Sequence, residues 1–132
     1  MEKIKIEFSK DNFFGILSKY YSTKSGKEVK IKAESRIKLV GVYEDEVIET
    51  TIYREEEVEV LGYTGTKTTP LSPEEINEAL SEIMPEQYEI SGLDYETEFN
   101  NNPNGSRLPS LKGVTLNLLD HQMKLKKEIP NT

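Results

Sequence analysis

The chain has 132 residues, with 17 Lys and Arg against 24 Asp and Glu, a net charge of -7 and no cysteine. That length is enough for a single hydrophobic core without metal or disulfide support, so no cofactor is expected. The missing cysteines exclude a disulfide framework, a thiolate metal site and a thiol nucleophile. There is no apolar run of membrane-spanning length, and the opening MEKIKIEF alternates instead of placing a basic stretch before an apolar one. Neither a membrane span nor a secretory signal is therefore expected, and the expected compartment is cytoplasmic.

The charge is unevenly spread. Residues 1–40 carry ten basic and five acidic side chains, residues 41–99 two and seventeen, and residues 100–132 five and two, differences of +5, -15 and +3. The acidic middle repels a phosphate backbone, so no direct nucleic-acid contact is expected, whereas a basic protein surface is attracted.

Lys3 to Phe8 alternates, with Ile4, Ile6 and Phe8 in one phase, and predicts a first strand. Ser9 stands as a helix N-cap with Asp11 in the first turn. Phe13, Phe14, Leu17, Tyr20 and Tyr21 follow at helical spacing until Ser22 to Gly26 ends the helix. An aromatic stripe of this kind is what a buried helix face requires.

From Val29 to Leu39 the odd positions are apolar or small, while Glu28, Lys30, Lys32, Glu34, Arg36 and Lys38 are all charged. This predicts a half-buried strand. The next strand runs from Ile48 to Val60. A two-residue loop at Glu44-Asp45 would set Val29 against Val60, Lys30 against Glu59, Lys32 against Glu57 and Ile37 against Ile52, so that apolar faces coincide and charges pair. Arg54 and Glu56 break the pattern by pointing towards the core. That predicts a bulge, an extension of the sheet past its helical cover, or a polar pair lining a cleft. In Glu55-Glu56-Glu57 the middle carboxylate faces the other way, which disfavours a metal site.

Leu61 to Thr69 reads as a loop. Its Gly62 to Thr69 segment looks superficially like a phosphate-binding loop, but Thr66 separates Gly65 from Lys67 and Pro70 delays the helix, so the motif fails. Leu71-Ser72-Pro73-Glu74-Glu75-Ile76 is a strong helix start: Ser72 caps, Pro73 takes the first helical position, Glu75 completes the capping box and Leu71 staples to Ile76. Ile76, Ala79, Leu80, Ile83 and Met84 form the expected buried stripe, and Pro85 stops the helix. Tyr88 to Phe99 predicts a strand whose phase changes at Ser91-Gly92, where a bulge is expected. Asp94, Glu96 and Glu98 share one face but lie too far apart along a strand for a metal site without help from neighbouring strands. Asn100 to Gly113 reads as a long loop, and Val114, Leu116 and Leu118 as a last strand paired with the one before. His121 is the sole histidine, which leaves neither an imidazole metal site nor a serine-type triad elsewhere.

The expected fold is α+β: an antiparallel sheet of about five strands with two helices on one face, in βαββαβ(β) order, ferredoxin-like or else a plain meander. Residues 1–120 form the expected domain and 121–132 a flexible tail. No catalytic residue is predicted. In composition the chain looks similar to phage and mobile-element inhibitors that present carboxylates to the basic, nucleic-acid-binding surface of a host protein. The expected protein-binding residues are Glu44, Asp45, Glu46, Glu49, Glu55, Glu57 and Glu59. The alternative expectation is a small-molecule or nucleotide-binding domain, with an oligomer as an option, built on Arg54, Glu56, Asn104 and Arg107.

Overall fold

The computed structural model describes residues 2–101, 103–105 and 107–121. Its elements are β1 (Glu2–Ser9), α1 (Lys10–Ser25), β2 (Lys30–Val40), β3 (Asp45–Val60), β4 (Tyr63–Leu71), α2 (Pro73–Ile83), β5 (Tyr88–Asn101) and β6 (Arg107–Asp120). The class is α+β, but the single five-stranded sheet gives way to two antiparallel sheets of three strands, ordered β1-β6-β5 and β2-β3-β4. The second is a meander with the lysine-rich β2 at one edge, where charged side chains discourage further pairing.

The helices begin and end where local chemistry dictates. The Ser9 hydroxyl accepts from the Asn12 N–H, and Gly26 closes α1 in the left-handed region, donating its own N–H to the Ser22 carbonyl. At α2 both halves of the Ser72–Glu75 capping box are formed. Of the predicted stripe on α2, Ile76, Ala79 and Leu80 are buried, whereas Ile83 is 51% exposed because the helix runs out beyond the core. The core joins Phe13 and Leu17 of α1, Ile52 of β3, Leu71 of β4, the three buried residues of α2, and Leu111, Val114, Leu116 and Leu118 of β6. Both helices thus share one core with both sheets. Phe14, Tyr20 and Tyr21 pack at its margin.

Two serines hold the approach to β2. The Ser22 hydroxyl accepts from the Val29 N–H at 2.9 Å and the Ser18 hydroxyl donates to the Val29 carbonyl at 2.6 Å, which satisfies the backbone of a buried residue against the face of α1.

The β2–β3 register differs from the expected one. Lys30 faces Glu55, Lys32 faces Tyr53 and Ile37 faces Ile48, four positions short of the predicted partners. The shift is even, so side chains keep their faces and the apolar rows still coincide. The turn is Gly41 to Glu44, between the paired Val40 and Asp45, not Glu44-Asp45. Gly41 takes a φ of 77° without steric cost and Glu44 a φ of 52° at the other end of the turn, whereas a two-residue turn of Glu and Asp would need positive φ at the first or at both, with no glycine to supply it. Lys30 and Glu59 are therefore not partners.

Residues 63–71, expected as a loop, are strand. Leu61 and Gly62 have φ of 55° and 81°, a two-residue turn of the mirror-image type that carries β3 directly into β4, with Val60 paired to Tyr63. The long loop expected at Asn100 to Gly113 is also largely strand, since β5 continues to Asn101 and β6 begins at Arg107. Pro109 is tolerated because β1 pairs only with Gly113 to Asp120, so that Pro109 has an unpaired side. The predicted bulge at Ser91-Gly92 is present, and a second irregularity falls between Glu96 and Thr97. β6 pairs with β5 as expected, and also with β1. His121 sits against β5, its N–H donating to the Gln87 carbonyl and its ring 3.0 Å from Glu89. The rest of the expected tail, residues 122–132, lies outside the described residues.

Candidate functional site

β3 is sixteen residues long, roughly 50 Å at the usual rise per residue, and the core supports only its middle. Ile52 is buried, but the inward-facing positions at either end of the strand run past the helices. The Arg54–Glu56 interruption is explained by the same overhang. The ladder with β4 runs unbroken through Arg54, Glu55 and Glu56, and that with β2 through Arg54 to its end at Glu55, so no bulge is present. Both side chains meet the end of α1: the Arg54 guanidinium lies 5.5 Å from the Tyr21 ring centre, and Lys27 reaches Glu56 at 3.1 Å. The hydrogen bond from Lys27 holds the Glu56 carboxyl below its ordinary pKa, against the opposing effect of burial.

The carboxylates of β3 fall into two kinds. Glu49 is bound by Lys38 at 3.2 Å and Arg36 at 3.3 Å, which lower its pKa, and Glu55 is bound by Lys32 at 2.9 Å. The basic edge strand thus neutralises the central part of the expected acidic surface. Glu44, Asp45 and Glu46 at one end, and Glu57 and Glu59 at the other, make no ion pair among the described residues. These two groups are separated by most of the strand, roughly 45 Å.

The first group stands beside something that composition and charge did not flag. Val42 and Tyr43, in the β2–β3 turn, are 93% and 89% exposed, and Leu39, Val40 and Val47 behind them are exposed as well. The tip is apolar on both faces of the ribbon and in the turn, and Glu44 to Glu46 edge it with negative charge. Soluble proteins seldom leave a large aromatic and several aliphatic side chains together in water unless the patch meets a partner. The signal was in the sequence: Gly41-Val42-Tyr43 places two large apolar residues where turn chemistry favours small polar ones.

Of the residues of the alternative site, Arg54 and Glu56 meet as an ion pair at 3.8 Å. Arg54 lies on β3 over Tyr21, while Arg107 begins β6 in the other sheet with its guanidinium 4.7 Å from the Phe99 ring centre. Asn104 is in the exposed β5–β6 turn. A cavity of about 390 Å³ opens beside Glu56, lined by Lys27 and Lys30 but also by Glu28, Glu55, Glu56 and Glu57. Four carboxylates against two ammonium groups repel the phosphates of a nucleotide. Asp94 and Glu96 accept hydrogen bonds from Asn117 and Thr115. Among the described residues no three His, Asp or Glu side chains converge as metal ligands. Among the described residues no helix is long and apolar enough to cross a membrane.

Comparison of the chain with protein families, with curated proteins and with solved structures gives no match.

Proposed function

We propose that this chain is a non-enzymatic binding protein whose β2–β3 hairpin tip engages a basic, partly apolar surface on another protein, of the kind that otherwise holds a polyanion. The observation that carries this reading is the coincidence of exposed Val42 and Tyr43 with the unpaired carboxylates Glu44, Asp45 and Glu46 on one turn. Tyrosine supplies a large contact area at small entropic cost, and the surrounding negative charge favours encounter with a cationic surface. The paired ribbon of β2 and β3, reaching past the core, presents both on one turn.

The test is capture of partners on the immobilised protein, followed by affinity measurements with the partner identified. Tyr43→Ser combined with Val42→Ser should abolish retention. Neutralising Glu44, Asp45 and Glu46 to their amides should weaken it and flatten its salt dependence. Neutralising Glu57 and Glu59 should leave it unchanged. Equal binding by wild type and tip variants would overturn the proposal.

A further inference from the structure

The four edge strands of the two sheets are unequally protected. β1 carries four charged side chains in eight residues, β2 five in eleven and β5 four in fourteen, whereas β4 (YTGTKTTPL) carries only Lys67. β4 is exposed from Tyr63 to Thr68, and no backbone hydrogen bond beyond its ladder with β3 involves residues 63–70 among the described residues. Charge on the edge is the usual defence against pairing with another chain, and here it is nearly missing.

The turn geometry fixes which groups are free. In a two-residue hairpin the residues flanking the turn, Val60 and Tyr63, form a hydrogen-bonded pair. Alternation then turns the backbone of Gly65, Lys67 and Thr69 towards β3, and that of Thr64, Thr66 and Thr68 outward. Pro70 shares the outward phase, where its lack of an N–H breaks no bond to β3.

We infer that this edge pairs with the same edge of a second copy, antiparallel about a two-fold axis at Thr66, to give a continuous sheet β2-β3-β4-β4-β3-β2. In that register Thr66 meets Thr66 of the second copy, and Thr64 meets Thr68 of the second copy on either side. Each of these pairs exchanges two backbone hydrogen bonds, and threonine opposite threonine is a favourable cross-strand pair. Lys67 falls opposite Gly65 of the second copy, so no like charges stand directly across. The two Lys67 side chains stand only diagonally to each other, and each has Glu56 of its own chain as its ladder partner on β3. The acidic rows on β3 of the two copies are kept apart by three strand spacings, about 14 Å, which is beyond the screening length of about 8 Å in physiological salt. Self-pairing of β2 would bring its cationic row against itself, and that of β5 its carboxylates. β4 sets no like charges directly across from each other in its own copy, and unlike β1, with its alternating Lys and Glu side chains, it carries almost no charge to guard the edge.

Sedimentation equilibrium on the full chain tests this. Wild type should show the mass of two chains at tens of micromolar, and Thr66→Lys, which sets two ammonium groups together on the axis, should fall to the mass of one with its far-ultraviolet spectrum unchanged. Because the chain has no cysteine, Thr66→Cys should oxidise to a disulfide-linked pair far faster than Glu34→Cys on the β2 edge. A wild type that is monomeric at millimolar concentration overturns the inference. So does a dimer that persists in Thr66→Lys, or one that is lost instead on Tyr43→Ser. The hairpin-tip proposal rests on other residues and does not depend on the outcome.

Discussion

Ser72 shows how much one side chain settles. Its hydroxyl accepts from the Glu75 N–H at 3.1 Å while the Glu75 carboxylate accepts from the Ser72 N–H at 3.1 Å, so two otherwise unpaired donors at the start of α2 are satisfied by neighbours in sequence. The adjoining Leu71 and Ile76 are both buried in the core, which fixes the angle at which the chain enters the helix. Ser72→Ala should therefore cost about 1 kcal/mol of unfolding free energy, read as a lower urea midpoint at unchanged slope, and Ser72→Asp should recover most of it. Such features are legible in a sequence because all the interacting groups lie within a few residues. The same holds for Ser9, for Gly26 and for the phase change at Ser91-Gly92.

Strands are another matter, because their partners are distant. The alternation in β2 settled which side chains face inward, and that survived in the structure. Alternation carries only parity, however, and a displacement of four positions leaves it intact, so the pairing of Lys30 with Glu55 instead of Glu59 was not readable. β4 was missed because threonine, glycine and lysine offer no apolar period. Its strand character comes from the ladder with β3 and from a turn in which Leu61, 91% exposed, occupies a left-handed conformation that leucine disfavours. Close packing between elements is equally silent in the sequence. A Cβ at Gly113 would lie 2.7 Å from the Phe8 carbonyl oxygen, so β1 reaches β6 only because residue 113 has no side chain. Gly113→Ala should cost about 1–3 kcal/mol and raise amide exchange along β1 before the rest of the sheet, measured by hydrogen–deuterium exchange.

For the whole molecule, the charge pattern predicts how stability responds to acid. Glu49, Glu56 and Glu82 have carboxyl pKa values lowered in the fold. Lys38 and then Arg36 act on the first, Lys27 on the second, and the Tyr20 hydroxyl and Lys24 on the third. A group whose pKa is lower folded than unfolded stabilises fully above its ordinary value, here 4.5, and loses that contribution as the pH falls through the folded value. The melting temperature should thus decline as the pH drops below 4.5, and Glu56→Gln combined with Glu49→Gln should make the decline shallower. An unchanged acid limb in that variant would show that these ion pairs contribute nothing. That one hydrophobic core should exist was evident from length and composition. Its division between two sheets was not, because no local pattern distinguishes a strand that joins one sheet from a strand that joins another.

The pairing of Glu2 with Asp120 places almost the whole described chain between two neighbours in one sheet. During synthesis β1 must wait, with Ile4 and Phe8 uncovered, until β6 has left the ribosome, since β6 supplies the ladder for both β1 and β5. Contacts so remote in sequence make closure slow, and until they form the early-made β2-β3-β4 meander covers only part of α1, whose core partners also lie on β6. A nascent chain halted before Gly113 should stay protease-sensitive throughout β1, and release of the final strand should bring the molecule to its folded form in one cooperative step.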